Sequence, residues 1–245
     1  MARQSLDLAG LPVMQDLLQS ASVLRMIVIP SIKLRDSRTL LPVPVARELA
    51  DLGFTRLHLS RGSSGSDADN HVIEDILHNT DARVQVGGVE TTSDVDQFMR
   101  IGADTVVVGD RGIEEPEWLA DVADTYPDAI AITTAVRDRR VVRRGWVRTL
   151  PVDIMDLVDE LNAVPLQEII VMIPSLEGAI RFGELSLLED VAERSRCPIV
   201  IAGGVADVND LRALDHRGVA ASILDAEPLL TGALDGRAIA GEFGI

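Results

Sequence analysis

"VQVGGVETTSDVDQFMRIGADTVVVGD" (84–110) and "VIAGGVADVNDLRALDHRGVAASILDA" (200–226) align without a gap, and their match decides how the chain is built. Under a constant offset of 116 residues, Val84 falls on Val200, Gly87-Gly88 on Gly203-Gly204, Val89 on Val205, Asp94 on Asp210 and Gly102 on Gly218. Each copy reads as a strand, a glycine doublet, a helix and a second strand. A repeat of that length points to two related halves.

Working outward, apolar runs recur along the chain: "MIVIPSI", "RLHLS", "VQVGG", "TVVVGD", "AIAITTAV", "EIIVMIP", "PIVIAGG" and "ASILDA". Between them, segments such as "PVPVARELADLGF" place apolar residues three and four apart and stop at glycine, as helices do. Eight strands alternating with helices predict an α/β protein, a closed (β/α)8 barrel with half-barrel duplication, over residues 26–245. Leu8, Leu11, Met14, Leu17 and Leu18 have helical spacing. Residues 1–25 are therefore expected to form a helical extension, packed on the barrel or on a second subunit or other protein partner.

Composition narrows the function. Hydrophobic residues make up 47% and charged residues 25%, with no apolar run long enough to cross a bilayer, so no membrane association is expected. Asp7 and Asp16 interrupt any export signal, which predicts a cytoplasmic protein. A net charge of −16 argues against nucleic acid, whose phosphates need a basic face. Cys197 is the single cysteine, and His58, His71, His78 and His216 have no metal-ligand spacing. No metal and no cofactor are expected, and His58 reads as a packed residue inside the second strand.

A glycine doublet at a strand end lets bare backbone N–H groups face a ligand, and barrels commonly hold phosphate at such places on their C-terminal rim. Gly87, Gly88 and Gly109 form one expected cup, and Gly203 and Gly204 a second. The offset places Asp225 where the first half has Gly109, followed by Glu227, so the second cup is expected to bind phosphate poorly. Like charges about 4 Å apart near a protein surface repel by about 4 kcal/mol.

At these residues the chain resembles the phosphoribosyl isomerases of histidine and tryptophan biosynthesis, HisA and its dual-substrate relative PriA, with the cyclase HisF further away. "CPIVIAGGVADVNDLRAL", "VVVGDRGIEEPEWL" and "RRGW" carry the resemblance, which runs from about residue 27 to the C-terminus. It implies a TIM barrel and a bis-phosphorylated aminoaldose pinned at both ends. The chemistry it implies is an Amadori rearrangement run by carboxylates at the ends of the first and fifth strands. Here those positions are Lys33 in "IPSIKL" and Ala135 in "TTAVR". Glu177 and Gly178 in "IPSLEGA" stand where the family has an acid and a glycine. Ser60 and Arg61 replace expected acids, Glu90 replaces the arginine after the first glycine doublet, and "RDSRTLLP" is a shortened first loop. Arg144 and Trp146 are retained, and the resemblance implies that they reach over the ligand.

A lysine cannot act as a carboxylate base while protonated, so the simple isomerase mechanism does not survive Lys33 and Ala135. Three readings follow. Lys33 and Glu177 form an ion pair in a retired site, leaving a barrel that binds a ligand or protein. Alternatively, Lys33 is a Schiff-base nucleophile for an aldehyde, with Glu177 as its proton shuttle. Otherwise the chain is a diverged isomerase for a small phosphorylated metabolite held by the first cup, with Glu177 as acid or base.

Overall fold

The computed structural model describes residues 25–34, 41–61, 67–142, 149–173 and 182–244. The extension expected over 1–25, save Arg25, and residues 35–40 of the shortened loop after the first strand lie outside them. Strands run in the order β1 (Ile27–Lys33), β2 (Arg56–Ser60), β3 (Arg83–Val89), β4 (Thr105–Val108), β5 (Ile130–Arg137), β6 (Arg140–Val142), β7 (Thr149–Asp153), β8 (Glu168–Met172), β9 (Ile199–Ala202) and β10 (Ala221–Asp225). All but β6 and β7 pair in parallel as one ring, which β4–β5 and β10–β1 complete. The eight apolar runs are the eight barrel strands, and the (β/α)8 fold is as read from the sequence.

Side chains alternate along each strand, so every second residue faces the barrel axis. Ile29, Val107, Ala131, Ile170, Val200 and Ile223 form the inner cluster. The intervening residues, among them Leu57, Val84, Val106 and Ile132, pack outward against helices as the larger core. Those helices are α1 (Pro42–Leu52), α2 (Asp67–Asn79), α3 (Thr92–Ile101), α4 (Asp110–Glu114), α5 (Pro116–Thr125), α6 (Ile154–Leu161), α7 (Phe182–Arg194), α8 (Val208–Asp215), α9 (Ala226–Thr231) and α10 (Gly236–Phe243). Among the described residues no helix is long and apolar enough to cross a membrane.

The repeat persists at the level of helix caps. Thr91 accepts from the Asp94 N–H at the start of α3, and Asp207 accepts from the Asp210 N–H at the start of α8, the same offset apart. Gly102 and Gly218, after the two helices, take φ of 101° and 75°. Only glycine adopts that region at no steric cost, so both chain reversals are fixed by sequence.

A hairpin that the sequence reading did not include follows β5. β6 pairs antiparallel with both β5 and β7. Its turn is Asp138-Arg139, with φ of 49° and 65°, the positive pair of a type I′ hairpin turn. Asn-Gly or Asp-Gly would have announced it, and Asp-Arg does not.

At the N-terminal end of the barrel, Arg56 opens β2 and Glu168 opens β8, on opposite sides of the ring. Their side chains meet in two bonds, Nη1 to Oε2 at 2.7 Å and Nη2 to Oε1 at 2.8 Å, with both residues buried. Removing one partner leaves a buried charge uncompensated, at a cost of about 3–5 kcal/mol. Urea denaturation of Arg56→Ala is expected to show a loss of that size, whereas Arg56→Met with Glu168→Leu is expected to fall much nearer wild type.

Candidate functional site

Because all eight strands are parallel, their C-terminal ends gather at one face, and the inward position of each end lines a cavity of about 610 Å³. Lys33 ends β1 and Asp225 ends β10. Ring closure makes these strands neighbours, with Ser31 opposite Asp225. Lys33 Nζ donates to Asp225 Oδ2 at 2.9 Å, and each side chain is about half exposed (52% and 54%). Lys33 is also the one lysine in the chain. Glu177, its expected partner, lies outside the described residues, as do Gly178, Arg144 and Trp146.

Ala135 stands near the end of β5, four strands around the ring from β1. It is buried and brings only a methyl group to the cavity. Lys33 and Ala135 therefore face the opening, as the sequence placed them. Among the described residues, the carboxylates lining the cavity are Glu90, Asp110 and Asp225, none of them on β1 or β5.

His58 lies on β2 between Arg56 and Ser60, on the inward side. Its ring edge packs on the backbone of Gly87, so closely that a Cβ there would lie 2.6 Å from Cε1 and 2.9 Å from Nε2. One hydrogen bond of 2.9 Å joins Nδ1 to the Gln85 side-chain nitrogen. Burial first, and the Arg56 charge second, lower the imidazole from 6.5 to about 4. His58 is thus a neutral wall of the mouth, and Gly87 is glycine because the ring occupies its side-chain space.

Gly87, Gly88 and Gly109, expected as the first cup, all line the cavity. Gly88, at φ 81°, passes so close to β2 that a Cβ would lie 2.8 Å from the Arg61 carbonyl oxygen. At Gly109 a Cβ would lie 2.8 Å from Glu90 Oε1, so a carboxylate rests where this glycine leaves room. Arg61 borders the cavity, but its guanidinium stacks over Phe98 of the outer core, 4.7 Å from the ring centroid. Asp94 lies 3.9 Å from Arg61 Nη1, and neither Nε nor Nη1 has a hydrogen-bond partner among the described residues.

In the second cup Gly203 and Gly204 take φ of 88° and 77° and line the cavity beside Asp225. Beyond Val205, the backbone N–H groups of Ala206 and Asp207 already donate to Asp210 Oδ2 at 2.7 and 3.2 Å. That leaves fewer donors for a ligand. Among the described residues no group of three His, Cys, Asp or Glu is placed to hold a metal ion.

Sequence reasoning missed two contacts. Asp225 as the partner of Lys33 was legible in principle, since closing a barrel sets the last strand beside the first. Glu90 over Gly109 had a fainter signal, an acid directly after Gly-Gly-Val.

Comparisons with known proteins agree with this architecture. The family model described as histidine biosynthesis protein matches residues 31–235. A Gemmatimonas aurantiaca protein named 1-(5-phosphoribosyl)-5-((5-phosphoribosylamino)methylideneamino) imidazole-4-carboxamide isomerase is 39% identical over 206 residues, covering 83% of this chain and 86% of that protein. Proteins of the same name are 36% identical over 157 residues in Myxococcus xanthus, covering 64% of this chain and 66% of the relative, and 30% over 203 in Microcystis aeruginosa, covering 81% and 77%.

The His58 environment makes stability depend on pH. Above about pH 6.5 neither the folded nor the unfolded chain protonates this ring. Between that value and about 4 the unfolded chain takes up a proton that the folded ring refuses, so stability falls as pH falls. Urea denaturation at about pH 5 is expected to show about 2 kcal/mol less stability from this group than at pH 7, a difference that His58→Gln removes.

Proposed function

The chain belongs to the histidine biosynthesis protein family, and we propose that this member has lost the aldose–ketose isomerisation and serves as a ligand-binding barrel. One observation carries the reading. The strand-end lysine is held by Asp225 at 2.9 Å, while the position facing it across the ring carries the methyl of Ala135.

Moving a proton off one carbon and onto another needs a base and an acid within reach of both faces of the substrate. An ammonium and a carboxylate engaged with each other on one side, and a methyl group on the other, do not set an acid and a base on the two faces of a substrate. The cavity itself is intact and retains Ser31, Ser60 and Thr133 hydroxyls beside an apolar floor of Val107, Ile170 and Ile223. Binding with no turnover is what such a mouth supports, and a small metabolite is the ligand of matching size.

A second reading, an active enzyme of altered specificity, is favoured by Lys33 being the one lysine and standing at the mouth. Its nitrogen would attack an aldehyde, expel water and leave an imine, with Asp225 placed to relay the proton. Schiff-base lysines are made nucleophilic by burial in apolar surroundings or by a neighbouring cation. Lys33 instead has a carboxylate partner and is half exposed.

Two assays on the purified chain decide between these. The imidazole-4-carboxamide aminoaldose named for the relatives is expected to pass unchanged, and measurable ketose formation would overturn the proposal. Borohydride added with a panel of phosphorylated aldehydes is expected to leave the intact mass unchanged. Because the chain has one lysine, an adduct mapped to it would establish the Schiff-base reading.

A further inference from the structure

We infer that Glu90 acts as an internal anion that fills the first glycine cup, so that the mouth takes ligands carrying no phosphate at that end. The inference rests on the reading of the mouth as a ligand site and names what that site rejects.

The geometry starts at Gly109. With no side chain there, the backbone at the end of β4 is open to the cavity, and the space a Cβ would fill lies 2.8 Å from Glu90 Oε1. The carboxylate is therefore seated against the cup. It is not an idle side chain, since it has interactions of its own. Its backbone is also tied down, because Arg111 Nη1 donates to the Glu90 carbonyl oxygen at 2.9 Å. Arg111 in turn is held by Glu115 at 2.9 Å and stacks on Trp118, 4.3 Å from the ring centroid. Trp118 Nε1 donates to Thr92 Oγ1 at 2.9 Å, which locks the segment to the start of α3.

The duplication gives independent support. Under the offset of 116, Glu90 corresponds to Ala206 and Gly109 to Asp225. Each half thus brings one carboxylate to its cup, the first half from the loop after β3 and the second from the end of β10. The second carboxylate pairs with Lys33 at 2.9 Å, and the first is seated against Gly109. A phosphate entering the first cup would meet Glu90 in its own space, with Asp110 also lining the wall. Like charges at that range repel strongly, and a carboxylate that accepts hydrogen bonds suits ligand hydroxyl groups instead.

The test is a calorimetric titration of inorganic phosphate into wild type, Glu90→Ala and Glu90→Gln, with thermal melts to verify folding. Wild type is expected not to saturate up to about 10 mM, and at least one variant to bind about tenfold tighter or better. A gain in both variants identifies charge as the means of exclusion, a gain in Glu90→Ala alone identifies occupied space, and either sustains the inference. Saturation of wild type in that range, or two folded variants with no gain, overturns it. Ketose formation in the isomerase assay would sink the reading of the mouth as non-catalytic, whereas this titration judges Glu90 alone.

Discussion

Closure of a parallel ring is the constraint on which everything else depends. Once β10 pairs with β1, every barrel strand has two neighbours, all C-termini share one rim, and strict alternation gives each strand one inward side chain at the mouth. The chemistry of the mouth is then a list of strand-end residues in fixed order. A lysine on the first strand and an aspartate on the last become adjacent although 192 residues separate them. Nothing local in "IPSIKL" or "SILDA" announces that contact.

The two ends of the barrel treat ion pairs differently. Arg56 and Glu168 meet at the closed end, both buried and bonded twice, where loss of either leaves a charge in a poorly solvated interior. Lys33 and Asp225 meet at the open end, where water shares their solvation and an exposed pair contributes little to stability. Barrels of this kind separate stability from function by face, and here the separation is visible in burial alone. The upper pair is accordingly better understood through what it does to the mouth. It removes Lys33 as a free cation and Asp225 as a free anion.

How much was legible in the sequence follows the range of each interaction. Strand identity is local, and the runs from "MIVIPSI" to "ASILDA" each became a barrel strand. Helix stops at Gly53 and Gly102 are local too, because a positive φ is a property of one residue. The hairpin was hidden since Asp138 and Arg139 take positive φ without the glycine that usually marks it. His58 was read as packed, which is half of its role, because the sequence cannot reveal that Gly87 yields it the space at the cavity wall. Lys33 and Ala135 were placed correctly as inward strand ends. The partner of Lys33 was not, since Asp225 comes from closure, nor was the approach of Glu90 to Gly109, which comes from the path of the chain after β3.

Duplicated barrels start with two equivalent cups, and a single change in either half makes them unequal. Here the halves differ by an exchange, acid at 90 with glycine at 109 in one and alanine at 206 with acid at 225 in the other. Each exchange puts one negative charge at a cup in a protein whose net charge is already −16, so the background field adds to the local repulsion of anions. Were the mouth selected for phosphate at both ends, the cheapest correction would be loss of Glu90 and Asp225. The structure instead anchors both, one through the Arg111–Trp118 stack behind its backbone and the other through Lys33. Anchoring a charge fixes it in place whether or not a ligand is present, which is the property a binding site needs to discriminate between ligands before any contact is made.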